Sequence, residues 1–197
     1  MKFKNNSIIL FLIVFFGACA TQENYLIKNI NFDGYKSLNI DSSSLIIDQK
    51  YNINITHPFI DHLVKQNLIL LLSSWAEARL QPLEVNNPGA LKVIIHSASI
   101  KALPISQNAT IKDLFVSNAA VNIEMNLDIT IELLNENGNQ ISYVDVKIFK
   151  SKELADNISL LEKDYIIQEM SKTLIKDFDS LAINKLKEIF YKSILPN

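Results

Sequence analysis

The most regular stretch of the chain is an alternation over residues 121–133. Val121, Ile123, Met125, Leu127, Ile129, Ile131 and Leu133 are apolar, and Asn122, Glu124, Asn126, Asp128, Thr130 and Glu132 between them are polar or charged. Successive side chains of a strand point to opposite faces, so this period of two predicts a strand with one buried and one wet face. Asn135–Asn139, with Gly138, reads as a hairpin turn into a strand over Gln140–Lys150. Val144, Val146 and Ile148 supply its inward face, leaving Tyr143 and Phe149 on the other. Upstream, Leu91–Leu103 predicts a strand with Leu91, Val93 and Ile95 on one face, and Leu45–Ile55 a β-branched strand. Tyr25–Phe32 alternates loosely and reads as a strand before the Asp33-Gly34 turn.

Two segments switch to helical spacing. Thr56 can cap a helix whose first turn holds Pro58 and Asp61. Phe59, Leu63 and Leu70, and Ile60, Val64 and Leu71, carry its apolar spacing through Trp75 and Leu80, up to Pro82. Within it, Leu68–Leu72 are five apolar residues in succession and cover the whole circumference. Such a run is either sandwiched in the core or laid in a partner groove. The functional reading makes Leu68, Leu70 and Leu72 a partner surface. Ser159-Leu160-Leu161-Glu162 spells a capping box and opens a second helix through Leu174, Phe178, Ile189 and Ile194, stopped by Pro196. The order β-β-α-β-β-β-α predicts an α+β fold: an antiparallel sheet of four to five strands with two long helices on one face.

The first residues carry a different pattern. Lys2 and Lys4 precede an apolar run from Ile8 to Phe16. Nine helical residues span about 13 Å against a bilayer core of about 30 Å, so the run suits the hydrophobic region of a signal peptide and not a membrane span. Phe16-Gly17-Ala18-Cys19 follows and resembles the lipobox of bacterial lipoproteins, with Phe16 in place of the usual leucine. Cys19 is the single cysteine of the chain. The resemblance implies cleavage before Cys19, diacylglycerol on its sulfur and an acylated new terminus. It also implies the membrane, reached through those acyl chains, as a partner. Ala20 is not the aspartate linked to inner-membrane retention, which favours the outer membrane. The expected organisation is a signal peptide over 1–18, a lipidated tether over 19–24 and one periplasmic α+β domain over 25–197.

Charge and composition narrow the functions. With 19 basic and 21 acidic side chains and one arginine, Arg79, the chain lacks the basic face of a general nucleic-acid binder. One cysteine allows no intrachain disulfide and no multi-cysteine metal or iron–sulfur site. Four glycines exclude a glycine-rich phosphate cradle.

Few residues spell chemistry. His57 and Asp61 are four apart at the expected helix start, while His57 and His62, five apart, point differently and do not suit a two-histidine metal site. His96 falls on a strand. Glu124, Asp128 and Glu132 share one strand face, the ordinary polarity of a solvated sheet. No nucleophile elbow, phosphate-binding loop or cysteine–histidine pair occurs. The expectation is no cofactor, no metal and no catalytic residue.

Trp75-Ala76-Glu77-Ala78-Arg79-Leu80, then Pro82 and the strand at Leu91–Ile95, prompt a second resemblance. Together with the lipobox and the element order, they look like small Gram-negative envelope lipoproteins, and resemble the ABC-transport auxiliary lipoproteins at Trp75, Glu77 and Leu80. That resemblance implies a non-enzymatic accessory subunit docking on an envelope protein of a lipid-transport or outer-membrane assembly system. The alternative from the residues is a periplasmic hydrolase or a sugar-binding module.

Overall fold

The computed structural model describes residues 26–105, 120–156 and 158–196. The expected signal peptide over 1–18, including Phe16, Gly17 and Ala18, and Cys19 therefore lie outside the described residues. The elements are β1 (Leu38–Ile40), β2 (Ser44–Gln49), α1 (Leu68–Arg79), β3 (Leu80–Pro82), β4 (Ala90–Pro104), β5 (Val121–Leu134), β6 (Gln140–Leu154) and α2 (Leu160–Ile189). They form an α+β fold with a four-stranded sheet in the order β2-β4-β5-β6 and a small parallel pair of β1 with β3.

The alternation over 121–133 produces the central strand β5. Each odd residue from Val121 to Leu133 is at most 2% exposed, and the even ones are half-buried. The buried side chains of β4, β5 and β6 merge with those of α1 and α2 into one core. Trp75 of α1 meets Phe178 of α2 edge to face, with ring centroids 4.6 Å apart. The opposite face carries the polar residues of β5 together with Tyr143 and Phe149 of β6, 50% and 59% exposed.

The sheet is mixed and not purely antiparallel. β4, β5 and β6 form the expected antiparallel meander, but β2 pairs with β4 in parallel, Leu45 opposite Leu91 and Ile47 opposite Val93. The reason is connectivity: α1 lies between β2 and β4 and carries the chain back to the end from which β2 started. β4 contains an irregularity between Ile95 and Ser97. Before it Leu91, Val93 and Ile95 face the core, and after it Ala98, Ile100 and Ala102 do, so one extra residue at His96 resets the phase.

Four sequence expectations shift. β2 ends at Gln49, and Ile53 and Ile55 lie outside it. Leu26–Phe32 forms no strand. α1 starts at Leu68, with Asn67 as N-cap and its Oδ1 accepting from Leu70 N at 2.9 Å. Residues 56–66 are turns because their polar groups are taken by β4: Ile60 N donates to Ile100 O at 2.9 Å and Ala102 N to Pro58 O at 2.9 Å. A helix from Thr56 would forfeit those bonds. The second helix does start at its expected cap, Ser159 Oγ accepting from Glu162 N at 3.2 Å, but it ends at Ile189.

Candidate docking surface

The run Leu68–Leu72 divides sharply. Leu68, Ile69, Leu71 and Leu72 are at most 6% exposed, whereas Leu70 is 61% exposed. α1 is apolar nearly all round because it lies among β2, β3, β4 and α2. Leu68 and Leu72 are therefore core, and of the three residues read as a partner surface only Leu70 faces outward. It borders a shallow groove of about 280 Å³ with Ile53, Tyr51, Asn52 and Gln49 at the end of edge strand β2. Ile53 is 40% exposed, and Gln49 Nε2 donates to Ser73 Oγ at 3.3 Å across the groove's side. Ile53 escaped the sequence reading because it was assigned to a strand, when the chain has already left the sheet at Gln49.

Charged groups in the interior hold the fold. Asp41 is 7% exposed and accepts from the backbone N–H groups of Val85, Asn86 and Asn87 at 2.9–3.0 Å. Burial alone would raise its carboxyl, but these bonds outweigh it and hold the group below the usual value. Asp61 is 2% exposed; it accepts from Ile100 N at 2.6 Å and Tyr51 O–H at 3.0 Å. Burial pushes its carboxyl up despite those bonds. His57 and His62 are exposed, and Asp61 turns toward β4 instead of toward His57.

On the open face of the sheet His96 Nε2 lies 3.0 Å from Thr130 Oγ1, and Thr130 Oγ1 donates to Asp145 Oδ1 at 2.6 Å. The threonine sits between the other two and spends its proton on the carboxylate, so the imidazole is not placed to take it, as nucleophile activation requires. The three side chains instead cross-link β4, β5 and β6. Asp128, facing outward as its phase requires, pairs with Lys147 at 2.8 Å. Among the described residues, no group of three or more His, Cys, Asp or Glu side chains is arranged to hold a metal.

Of the residues carrying the second resemblance, Trp75 and Leu80 are buried and Glu77 is exposed. Trp75 and Arg79 both donate to Asp179 of α2, from Nε1 at 2.8 Å and Nε at 2.5 Å.

No family model matches the chain, and no curated protein matches it in sequence. Solved structures similar to the chain at low identity include two lipoproteins. A minor lipoprotein from Acinetobacter baumannii aligns with a TM-score of 0.39 and 10% identity, over 73% of this chain and 94% of that one. The rare lipoprotein B from Shewanella oneidensis aligns with a TM-score of 0.37 and 14% identity, over 72% of this chain and 97% of that one.

Proposed function

We propose that this chain is a non-enzymatic envelope lipoprotein, anchored through acyl chains on Cys19, that docks on another envelope protein. The observation that carries the reading is the N-terminal series: Lys2 and Lys4, the apolar run Ile8–Phe16, then Gly17-Ala18 and the only cysteine. Two or more acyl chains give durable membrane attachment, because each buried methylene contributes about 0.8 kcal/mol. The absence of aspartate after Cys19 favours the periplasmic side of the outer membrane. The groove beside Leu70 and Ile53 is the proposed contact for the protein partner. The resemblance at Trp75, Glu77 and Leu80 supports lipid transport or outer-membrane assembly as the process served.

Metabolic labelling with palmitate tests the anchor. The wild-type chain is expected to take up label, and Cys19→Ser to take up none and to be released or misprocessed. Equal labelling of the two would overturn the proposal.

One observation favours a sugar-binding module instead. An open groove of about 290 Å³ on the polar face of the sheet is lined by Tyr51, Phe59 and Phe149 together with Ser97, Asn126 and Lys101. Aromatic side chains beside an amide and hydroxyls suit a sugar ring. Chemical-shift changes confined to these residues on adding envelope oligosaccharides would favour that reading.

A further inference from the structure

We infer that the end of the domain built around the first turns of α2 is the face that lies against the lipid surface, an inference that rests on acylation of Cys19. The path of the chain is the first reason. Leu26–Phe32 joins no strand, yet glutamine side chains fix its backbone. Gln66 Oε1 accepts from Ile30 N at 2.7 Å, Gln66 Nε2 donates to Ile30 O at 3.2 Å, and Gln168 Nε2 donates to Lys28 O at 2.5 Å. The tether from the membrane is thereby fastened to α2 at Lys28, nine residues after Cys19. Nine residues reach at most about 32 Å fully extended. The attachment point therefore cannot lie farther than that from the acyl chains.

Surface composition is the second reason. Leu26, Leu63, Leu160 and Leu161 are 69%, 51%, 55% and 50% exposed. Leu63 and Asp164 line one cleft, and Leu160 and Asp164 line the next, so Leu63 and Leu160 flank one side chain, with Leu161 beside Leu160 and Leu26 beside the cleft-lining Ile27 in the chain. Clustered exposed aliphatic groups mark an interaction surface. Exposed Lys28 and Lys65 flank them. Lysine stems can lie along apolar surface while their ammonium groups meet anionic headgroups. Asp164, itself exposed, is the one acidic side chain lining the two clefts, against Lys65 and Lys163. The continuity of this patch with the tether, and its paired leucines and lysines, point to lipid as what covers it.

The opposite end supplies the control. Val121 at the start of β5 lines the same cleft as Leu160, and β5 runs 14 residues to the hairpin turn. At about 3.3 Å per residue the exposed Glu136 in that turn is roughly 45 Å away. Because Cys19 is the only native cysteine, Leu63→Cys, Leu160→Cys and Glu136→Cys each introduce a single free thiol into the acylated full-length chain. An environment-sensitive fluorophore is attached there, and the protein is placed in phosphatidylethanolamine–phosphatidylglycerol vesicles. At 63 and 160 the expected result is blue-shifted emission, quenching by nitroxide lipids and loss of quenching by aqueous iodide; at 136 none of these occurs. Equal iodide access at all three sites in acylated protein would overturn this inference alone. So would shielding at 63 and 160 that requires an added envelope protein. A mass spectrum lacking the acyl chains on Cys19 would overturn the anchor and this inference together.

Discussion

Asp179 accepts a hydrogen bond from Trp75 across the interface between the two helices, Nε1 to Oδ1 at 2.8 Å. The same oxygen receives Arg79 Nε at 2.5 Å, and Arg79 Nη2 reaches the other oxygen at 3.4 Å. Arg79 is the only arginine of the chain and is 8% exposed, with its guanidinium 5.5 Å from the Tyr35 ring. One carboxylate thus satisfies an indole and a guanidinium at the edge of the core, which lets α1 and α2 close over the sheet without an orphaned donor.

Asp179→Ala should therefore cost about 3 kcal/mol, since it leaves the nearly buried Arg79 charge without its partner. Trp75→Phe, which removes one neutral donor and keeps a ring against Phe178, should cost less, about 1–2 kcal/mol. Urea unfolding midpoints measure both, and the reverse ranking would show that packing and not the carboxylate dominates there.

Facing along β5 is tested by adjacent residues. Ile129 is 0% exposed, while Asp128 points outward to Lys147. Ile129→Asp should prevent folding, because an unpaired carboxylate in the core costs several kcal/mol. Asp128→Ala removes only a surface ion pair and should change stability by about 1 kcal/mol or less. Similar melting temperatures would contradict the alternation.

The leucine run offers a like contrast for docking. Leu70→Lys should leave the domain folded, within about 0.5 kcal/mol of wild type, because its side chain is in solvent. Leu72→Lys should unfold it. If Leu70→Lys, with native circular dichroism, still binds its envelope partner as well as wild type does, the groove beside Ile53 is not the contact.

Gly89 passes against the end of β5, where an added Cβ would collide with the Leu134 carbonyl oxygen and the Asn135 backbone. That approach is pinned by Asn87, whose Nδ2 donates to Leu134 O at 3.0 Å. Gly89→Ala should lose about 2 kcal/mol or more, because backbone and not a flexible side chain must move. An unchanged midpoint in denaturant would show that this junction yields easily.

Asp61 predicts a pH dependence. Its folded carboxyl is raised above the ordinary value of 3.8, chiefly by burial, so the folded state holds the proton more tightly than the unfolded one. Its contribution is most favourable below pH 3.8 and falls as pH rises through the folded value. Asp41 has the opposite sign: its lowered carboxyl stabilises above 3.8, and that contribution is lost as pH drops below it. Asp61→Asn should flatten the decline in stability on the neutral side of pH 4 and leave the acid limb in place. A parallel displacement of the whole pH–stability curve would exclude Asp61 as its source.

Local pattern alone decided the central architecture. The two-residue period places Val121–Leu133 in a half-buried strand, and Ser159 with Glu162 starts α2, because alternation and capping depend only on neighbours in the chain. The lipobox-like run is legible for the same reason: it is read as a contiguous string. Partners distant in sequence decided the rest. Residues 56–66 have helical spacing, yet Ile100 and Ala102 of β4 claim their backbone bonds. Leu26–Phe32 alternates loosely, yet Gln66 and Gln168 hold it away from any sheet. β1 and β3, three residues each, pair with each other, and β1 is held on its other side by the C-terminal segment, where Leu195 N donates to Asn39 O at 3.0 Å. Leu68, Leu70 and Leu72 read alike as residues, and only the placement of α1 among β2, β4 and α2 makes the first and last core and leaves Leu70 in solvent. Burial is a property of what surrounds a side chain, and for these segments the surroundings come from elsewhere in the sequence.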